Sequence, residues 1–193
     1  IQMLRYRLDG FEDLTLKQKL YIYYLAKATL CGRDIVTDQF GRHNLLIRKT
    51  LEAVYENFMG DRTSHDFQSM TVYLKRVWFS NGIHHHYGCE KFVPDFSEPF
   101  FIEAVRQVGA DKLPLAEGQT VDSLLDELCP VIFNPSVQAK RVNQKDGDDL
   151  VKTSACNYYE NLSQKEVEDF YASMRNPEDL TPISYGLNST LRK

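Results

Sequence analysis

Trp78-Phe79-Ser80-Asn81-Gly82-Ile83-His84-His85-His86-Tyr87-Gly88-Cys89-Glu90-Lys91-Phe92-Val93-Pro94-Asp95-Phe96 is the stretch on which the reading of this chain turns. It mixes aromatic residues, three consecutive histidines and two glycines, and follows neither the 3.6-residue period of a helix nor the two-residue period of a strand. Such composition is usual where a backbone is shaped around something other than its own core.

Toward the N-terminus the pattern is helical. Thr15 with Gln18 three residues on forms a capping box, Leu16, Leu20, Tyr23, Tyr24 and Leu30 recur at helical spacing, and Gly32 marks a stop. A turn is expected around Asp38 to Gly41. A second helix begins after Asn44, with Leu45, Leu46, Leu51, Val54, Tyr55 and Phe58 as its apolar side. A third covers about Asp66 to Phe79, with Phe67, Met70, Leu74, Val77 and Trp78 on one side. Beyond the aperiodic stretch, Ser97 caps a short helix that tolerates Pro99 in its first turn and buries Phe101, Ala104, Val105 and Val108. Residues 107–118 read as a connector, and Thr120 to Leu128 as another short helix built on Val121, Leu124, Leu125 and Leu128.

After Cys129-Pro130 the pattern changes. Val137 to Asn143 and Leu150 to Tyr159 read as strands joined through Asp146-Gly147, a strong hairpin signal. Ser163 with Glu166 opens a last helix through a capping box, with Leu162 and Val167 placed for a hydrophobic staple. Residues 181–187 look extended. The fold class expected is therefore α+β, mainly α-helical, with a small antiparallel β part near the C-terminal third. The helical part spans about 11–128 and the hairpin, helix and strand about 129–193, within a single unit.

Bulk properties exclude several functions. The chain has 193 residues, 42% hydrophobic and 26% charged, with a net charge of −4 and no basic stripe, which argues against nucleic acid as a partner. No apolar run reaches the length of a membrane span. Cys31, Cys89, Cys129 and Cys156 lie far apart with no C-x-x-C spacing, so reduced, partly buried thiols are expected rather than a zinc knot. The first residue is Ile1, and a piece of a longer protein is expected.

The chemistry candidates are few. On an extended backbone His84 and His86 share a face and could hold zinc if other ligands arrived from elsewhere, but no second ligand pair has metal spacing. Hydrogen-bonded histidines, or a pH-sensitive patch, is the other reading. Cys89 lies near His86 without a protease signature, and Asp148-Asp149 falls in the expected turn. Phosphate-binding glycine motifs are absent. Tyr158, Tyr159 and Tyr185 could hold a ligand or pack as strand residues. Asn157 and Asn188 could bind a backbone amide or close turns. Asn161 and Asn188 also head N-x-S/T triplets.

Gly88-Cys89-Glu90-Lys91-Phe92-Val93-Pro94, with the Asn81-Gly82 turn and Tyr87-Gly88, resembles the N-terminal region of the dipeptidyl peptidase III family, its bacterial members above all. The helix from Leu14 to Leu30, the segment from Asn157-Tyr158-Tyr159 to Phe170-Tyr171, and the run from Pro182 to Ser189 are similar as well. The resemblance implies a zinc exopeptidase that removes dipeptides from the N-termini of short peptides, with two lobes around a wide cleft. The family's H-E-x-x-G-H motif is missing, and no Glu follows any of the five histidines. The resemblance therefore implies a zinc-free, N-terminal portion that is inactive alone. It carries no catalytic and no metal residue, and the Zn2+ is bound by ligands outside this chain. By position in the family's segment, Tyr87 falls on the substrate side of the cleft, Asn81 and Gly82 shape the adjoining turn, and His86 stands beside them. The partners implied are short peptides and the catalytic lobe, with no nucleic acid and no membrane, and the expected compartment is the cytoplasm. A non-catalytic peptide-binding or structural module is the alternative, and a metal-binding protein using His84 and His86 a third reading.

Overall fold

The structure, a computed structural model, describes residues 4–178 and the backbone of residues 191–192. It is mainly helical. Helix α1 (Leu16–Cys31) starts at the expected Thr15–Gln18 capping box. No residue of α1 is buried, however. Its apolar residues Leu16, Leu20, Tyr21, Ile22, Tyr23, Tyr24, Leu25 and Leu30 all remain exposed. They lie around the whole circumference instead of along one stripe, so no single face can seat the helix.

The turn expected near residue 38 is a short helix, α2 (Arg33–Phe40). Gly32 closes α1 and opens α2 in a near-helical conformation (φ −80°, ψ −10°), so it punctuates the helix without redirecting the chain far. Only Thr37 of α2 is buried, which explains why no apolar period announces it.

Helices α3 (Asn44–Asn57), α4 (His65–Ser80), α5 (Glu98–Gln107) and α6 (Val121–Phe133) build the core. Ile47, Leu51 and Val54 of α3 meet Met70, Tyr73, Leu74 and Val77 of α4, with Phe101 and Val105 of α5 and Leu124, Leu128 and Ile132 of α6 completing a single cluster. Each such side chain contributes about 1.5–3 kcal/mol by leaving water. Ser64, Ser97 and Thr120 cap the N-termini of α4, α5 and α6 with their hydroxyl oxygens.

Two expectations near the C-terminal third fail. Helix α6 does not stop at Leu128 but runs through Pro130 to Phe133. A proline in the last turns forfeits one i→i−4 bond, and burial of Val131 and Ile132 offsets the loss. The hairpin through Asp146-Gly147 does not form. The Asp149 carboxylate accepts hydrogen bonds from the N–H groups of Val151, Lys152 and Gln164, winding residues 150–153 into a single helical turn, α7 (Leu150–Thr153). The Asn143 amide donates to Asp148 and Thr153, and its N–H donates to the Ser154 hydroxyl. Local side-chain bonds of this kind replace a β ladder.

The β content is correspondingly small. Strand β1 (Tyr159–Glu160) pairs in parallel with β2 (Leu191–Arg192), so the expected antiparallel sheet is absent among the described residues. Helix α8 (Gln164–Ser173) begins at the Ser163–Glu166 capping box as expected, with Val167 buried. The extended segment expected at 181–187, with Tyr185, and also Asn188, lies outside the described residues.

Candidate functional site

The aperiodic stretch begins where α4 ends. Asn81 takes the left-handed conformation (φ 53°) as the C-cap, its N–H donating to the Val77 carbonyl. Asparagine is among the few residues that tolerate this region. Gly82 follows at φ 151°, and a Cβ there would run into the Asn44 amide. Asn44 is buried, and its Oδ1 accepts from the Ile83 N–H at 3.2 Å, so the first residue of α3 fixes the exit from α4.

From Ile83 to Phe92 the chain is a tight antiparallel arm. Phe92 N–H donates to the Ile83 carbonyl (2.8 Å), His85 N–H to Glu90 (2.7 Å) and Cys89 N–H to His85 (3.0 Å). His84 pairs with Lys91, and Glu90 pairs in turn with Lys140. At the tip, His85 Nδ1 accepts from the N–H groups of Tyr87 (3.3 Å) and Gly88 (3.1 Å), which makes it the unprotonated ring nitrogen. Tyr87 stands at this tip with 85% of its surface exposed. Its ring centroid lies 4.5 Å from that of His86, which in turn packs edge-on against Phe79 at 4.8 Å.

The three histidines therefore do different things. His84 is buried, and its Nε2 donates to the Gln138 carbonyl at 2.6 Å. Burial pushes its pKa down to about 4. The Gln138 amide reaches His43 Nδ1 at 2.9 Å, and His43 Nε2 lies 3.6 Å from the Glu127 carboxylate. Burial also lowers the pKa of His43, against the pull of Glu127. His86 leaves the extended backbone for the turn, so the shared face expected for His84 and His86 is not realised. Among the described residues no three His, Cys, Asp or Glu side chains gather as a metal site.

The arm is anchored by Lys91. Its ammonium donates to the carbonyls of Val131 (2.9 Å), Val137 (2.7 Å) and Asn134, gripping the end of α6 and the loop after it. Desolvation lowers its pKa.

Cavities flank these elements, one of about 310 Å³ being lined by Glu90, Lys91, Phe92, Val93 and Pro94 of the arm itself. Another, of about 300 Å³, is lined by Arg33, Thr37, Arg48, Glu52, Val77, Trp78 and Asn81. Arg48 is buried there, bonded to Asp34 at 2.7 Å, and the Trp78 indole N–H donates to Glu52 at 2.7 Å. A larger one, about 570 Å³, takes Arg42, Gln138, Lys152, Cys156, Asn157 and Tyr159 into its wall. Asn157 is tied to α2, its N–H donating to the Gln39 carbonyl and its amide to Asp38.

Of the four candidates read from sequence, Asn81 lines the cavity of Arg48 and Trp78, Gly82 sits against Asn44, and His86 and Tyr87 stack at the tip. None of them lines the larger cavity. Arg141 donates from Nη2 to the His86 carbonyl (3.0 Å) and to Cys89 Sγ (3.4 Å) beneath the tip, and like Asn44, Arg48 and Gln138 it carried no sequence signal, because each acts on partners remote along the chain. No protein-family model matches the chain, and no curated protein matches it.

Proposed function

We propose that this chain forms part of the substrate-cleft wall of a dipeptidyl peptidase III-like zinc exopeptidase that releases dipeptides from the N-termini of short peptides. The observation that carries this reading is the presentation of Tyr87. Its segment carries the Lys-Phe-Val-Pro resemblance, and its ring stands out from an arm held at both ends, by Asn44 at Ile83 and by the Lys91 carbonyl clamp. A rigidly held, exposed aromatic suits contact with a peptide side chain. Asn81 and Gly82 set the arm's take-off, and His86 supports the Tyr87 ring.

The residues present do not fit a zinc ion, for want of the H-E-x-x-G-H pair and of any three-ligand cluster among the described residues. The Zn2+ and the general base belong to the parent enzyme's catalytic lobe, and no step of the reaction is assigned to this chain. Its part is to bind and orient.

The test is Tyr87→Ala in the full-length enzyme with a dipeptidyl-naphthylamide. The expected result is a KM raised roughly fivefold, equivalent to the ~1 kcal/mol of one aromatic contact. Unchanged KM and kcat would remove Tyr87 from the cleft. The 193-residue chain alone should give no turnover, and turnover would place the catalytic centre within it. A reading frame without an H-E-x-x-G-H segment would favour the alternative, a non-catalytic peptide-binding module.

A further inference from the structure

Helix α1 is ordered without a seat. Every residue of it except Lys19 is exposed, and its eight large apolar residues, Tyr21 and Tyr24 among them at 66% each, surround it on all sides. A helix of this length that packs on nothing is marginal in water even when rich in alanine. Tyr21, Ile22, Tyr23, Tyr24 and Thr29 lower its propensity further. The Thr15–Gln18 capping box and the Lys19–Glu12 ion pair (3.2 Å) secure only its first turn. The rest calls for a partner that takes the apolar surface out of water. At about 200 Å² for a wholly exposed large side chain, the eight together expose on the order of 800 Å². That equals one side of a standard protein interface and exceeds the largest apolar patch of an ordinary monomer.

Charge and shape identify the partner. Helix α1 carries Lys17, Lys19 and Lys27 and no acidic residue. Among the described residues neither Lys17 nor Lys27 meets a carboxylate, and Lys27 rests over the Tyr23 ring at 5.6 Å. A second copy of α1 would bring lysines and no carboxylate to face them. A membrane surface holds a helix with one apolar and one polar face, which α1 lacks. Its 16 residues rise only about 24 Å, short of the ~30 Å bilayer core. An apolar circumference with cationic points fits a protein groove that closes on the helix from more than one side and has acids on its rim.

We propose that α1 is the docking helix of this chain, seated in an apolar groove with a carboxylate rim on the catalytic lobe. Giving the groove to that lobe rests on the peptidase reading; the need for an enclosing partner does not. Tyr21 and Tyr24 fill the groove, and Lys17 and Lys27 meet the rim. Gly32 hands α1 directly to α2, and Asp34 of α2 is bonded to Arg48 of α3 at 2.7 Å. The docked helix is thereby tied to the core helices that carry the Tyr87 arm.

The test is hydroxyl-radical labelling of the native full-length enzyme, at a concentration where sedimentation shows a monomer. Each tyrosine's rate is divided by its rate in the urea-unfolded protein. A bare α1 would label Tyr21 and Tyr24 nearly as fast as Tyr87, which is 85% exposed. The expected result is at least tenfold protection of Tyr21 and Tyr24 with Tyr87 still labelled. Carbodiimide coupling should join Lys17 or Lys27 to an Asp or Glu beyond residue 193. Lys27→Glu should abolish its own link and speed labelling of Tyr24 severalfold. Labelling of Tyr21 and Tyr24 as fast as Tyr87, links between two copies, or protection that arises only on anionic lipid vesicles would each overturn the proposal. An active zinc peptidase with a bare α1 would strike the docking helix alone. A protected α1 in a protein without the H-E-x-x-G-H segment would strike the peptidase reading, and with it the groove's assignment, while the docking helix stands.

Discussion

Lys91 Nζ donates a hydrogen bond to the main-chain carbonyl of Val131, 2.9 Å away, on α6. The carbonyls of Asn134 and Val137 use its two remaining hydrogens. A helix C-terminus exposes unpaired carbonyls and a partial negative charge, and here one ammonium satisfies both needs. The clamp joins the aperiodic arm to α6 across some forty residues of sequence. It explains structurally why a lysine stands in the Lys91-Phe92-Val93-Pro94 run.

Lys91→Met should therefore destabilise the fold by roughly 3 kcal/mol, because it removes three charge-assisted bonds and leaves their carbonyls partly dry. Urea unfolding should show a lower midpoint at unchanged slope. A loss below about 1 kcal/mol would mean that water serves those carbonyls equally well.

Stability should fall with acid in a window set by His84 and His43. His84 is held at about 4 in the folded state, while the unfolded chain titrates at 6.5. The unfolded state therefore binds protons first. The stabilisation is complete above about pH 6.5 and is lost as pH falls toward 4, on the order of 3 kcal/mol for His84. His43, lowered in the same direction, adds to the same slope. His84→Gln should flatten the stability profile between pH 6.5 and 4; an unaltered profile would assign the slope to other groups.

At the take-off from α4, Asn81 and Gly82 should respond in opposite ways. Asn81→Gly keeps a residue at ease in the left-handed region and should change stability by no more than about 0.5 kcal/mol. Gly82→Ala forces a Cβ against the Asn44 amide at φ 151° and should cost about 2 kcal/mol or more. Thermal unfolding followed by Trp78 fluorescence separates the two. Equal effects would refute the conformational argument.

Tyr87→Ala should leave the fold alone. With 85% of its surface already in water, the ring contributes little burial, and the change should stay within about 0.5 kcal/mol. A stability loss above 1 kcal/mol would show that Tyr87 holds the arm in place, and any change in peptide turnover would then have to be read as structural.

The helices were legible wherever the instruction was local. Capping boxes at Thr15 and Ser163, the cap at Ser97, and the apolar stripes of α3 and α4 each lie within a few residues of the structure they specify. The hairpin was misread for the same reason. Asp146-Gly147 is a sound local turn signal, but the Asp149 and Asn143 side chains bind backbone and each other first, and residues 139–141 find their β partner in residues 89–91 instead. Asn81, Gly82, His86 and Tyr87 could be singled out only through the family resemblance of their segment, and not the cavity that Asn81 lines or the burial that separates His84 from His86.

By itself the sequence determined a mainly helical chain, the starts of its principal helices and the place where helical order breaks. Only the tertiary structure decided what that break becomes: an arm fixed by Asn44, clamped by Lys91 and undercut by Arg141. Helix starts are specified by bonds spanning three or four residues, which any reading of neighbours recovers. The arm depends on partners some forty to fifty residues away, such as Ile83 with Asn44, Lys91 with Val131 and Cys89 with Arg141. Nothing in the residues between them records that pairing.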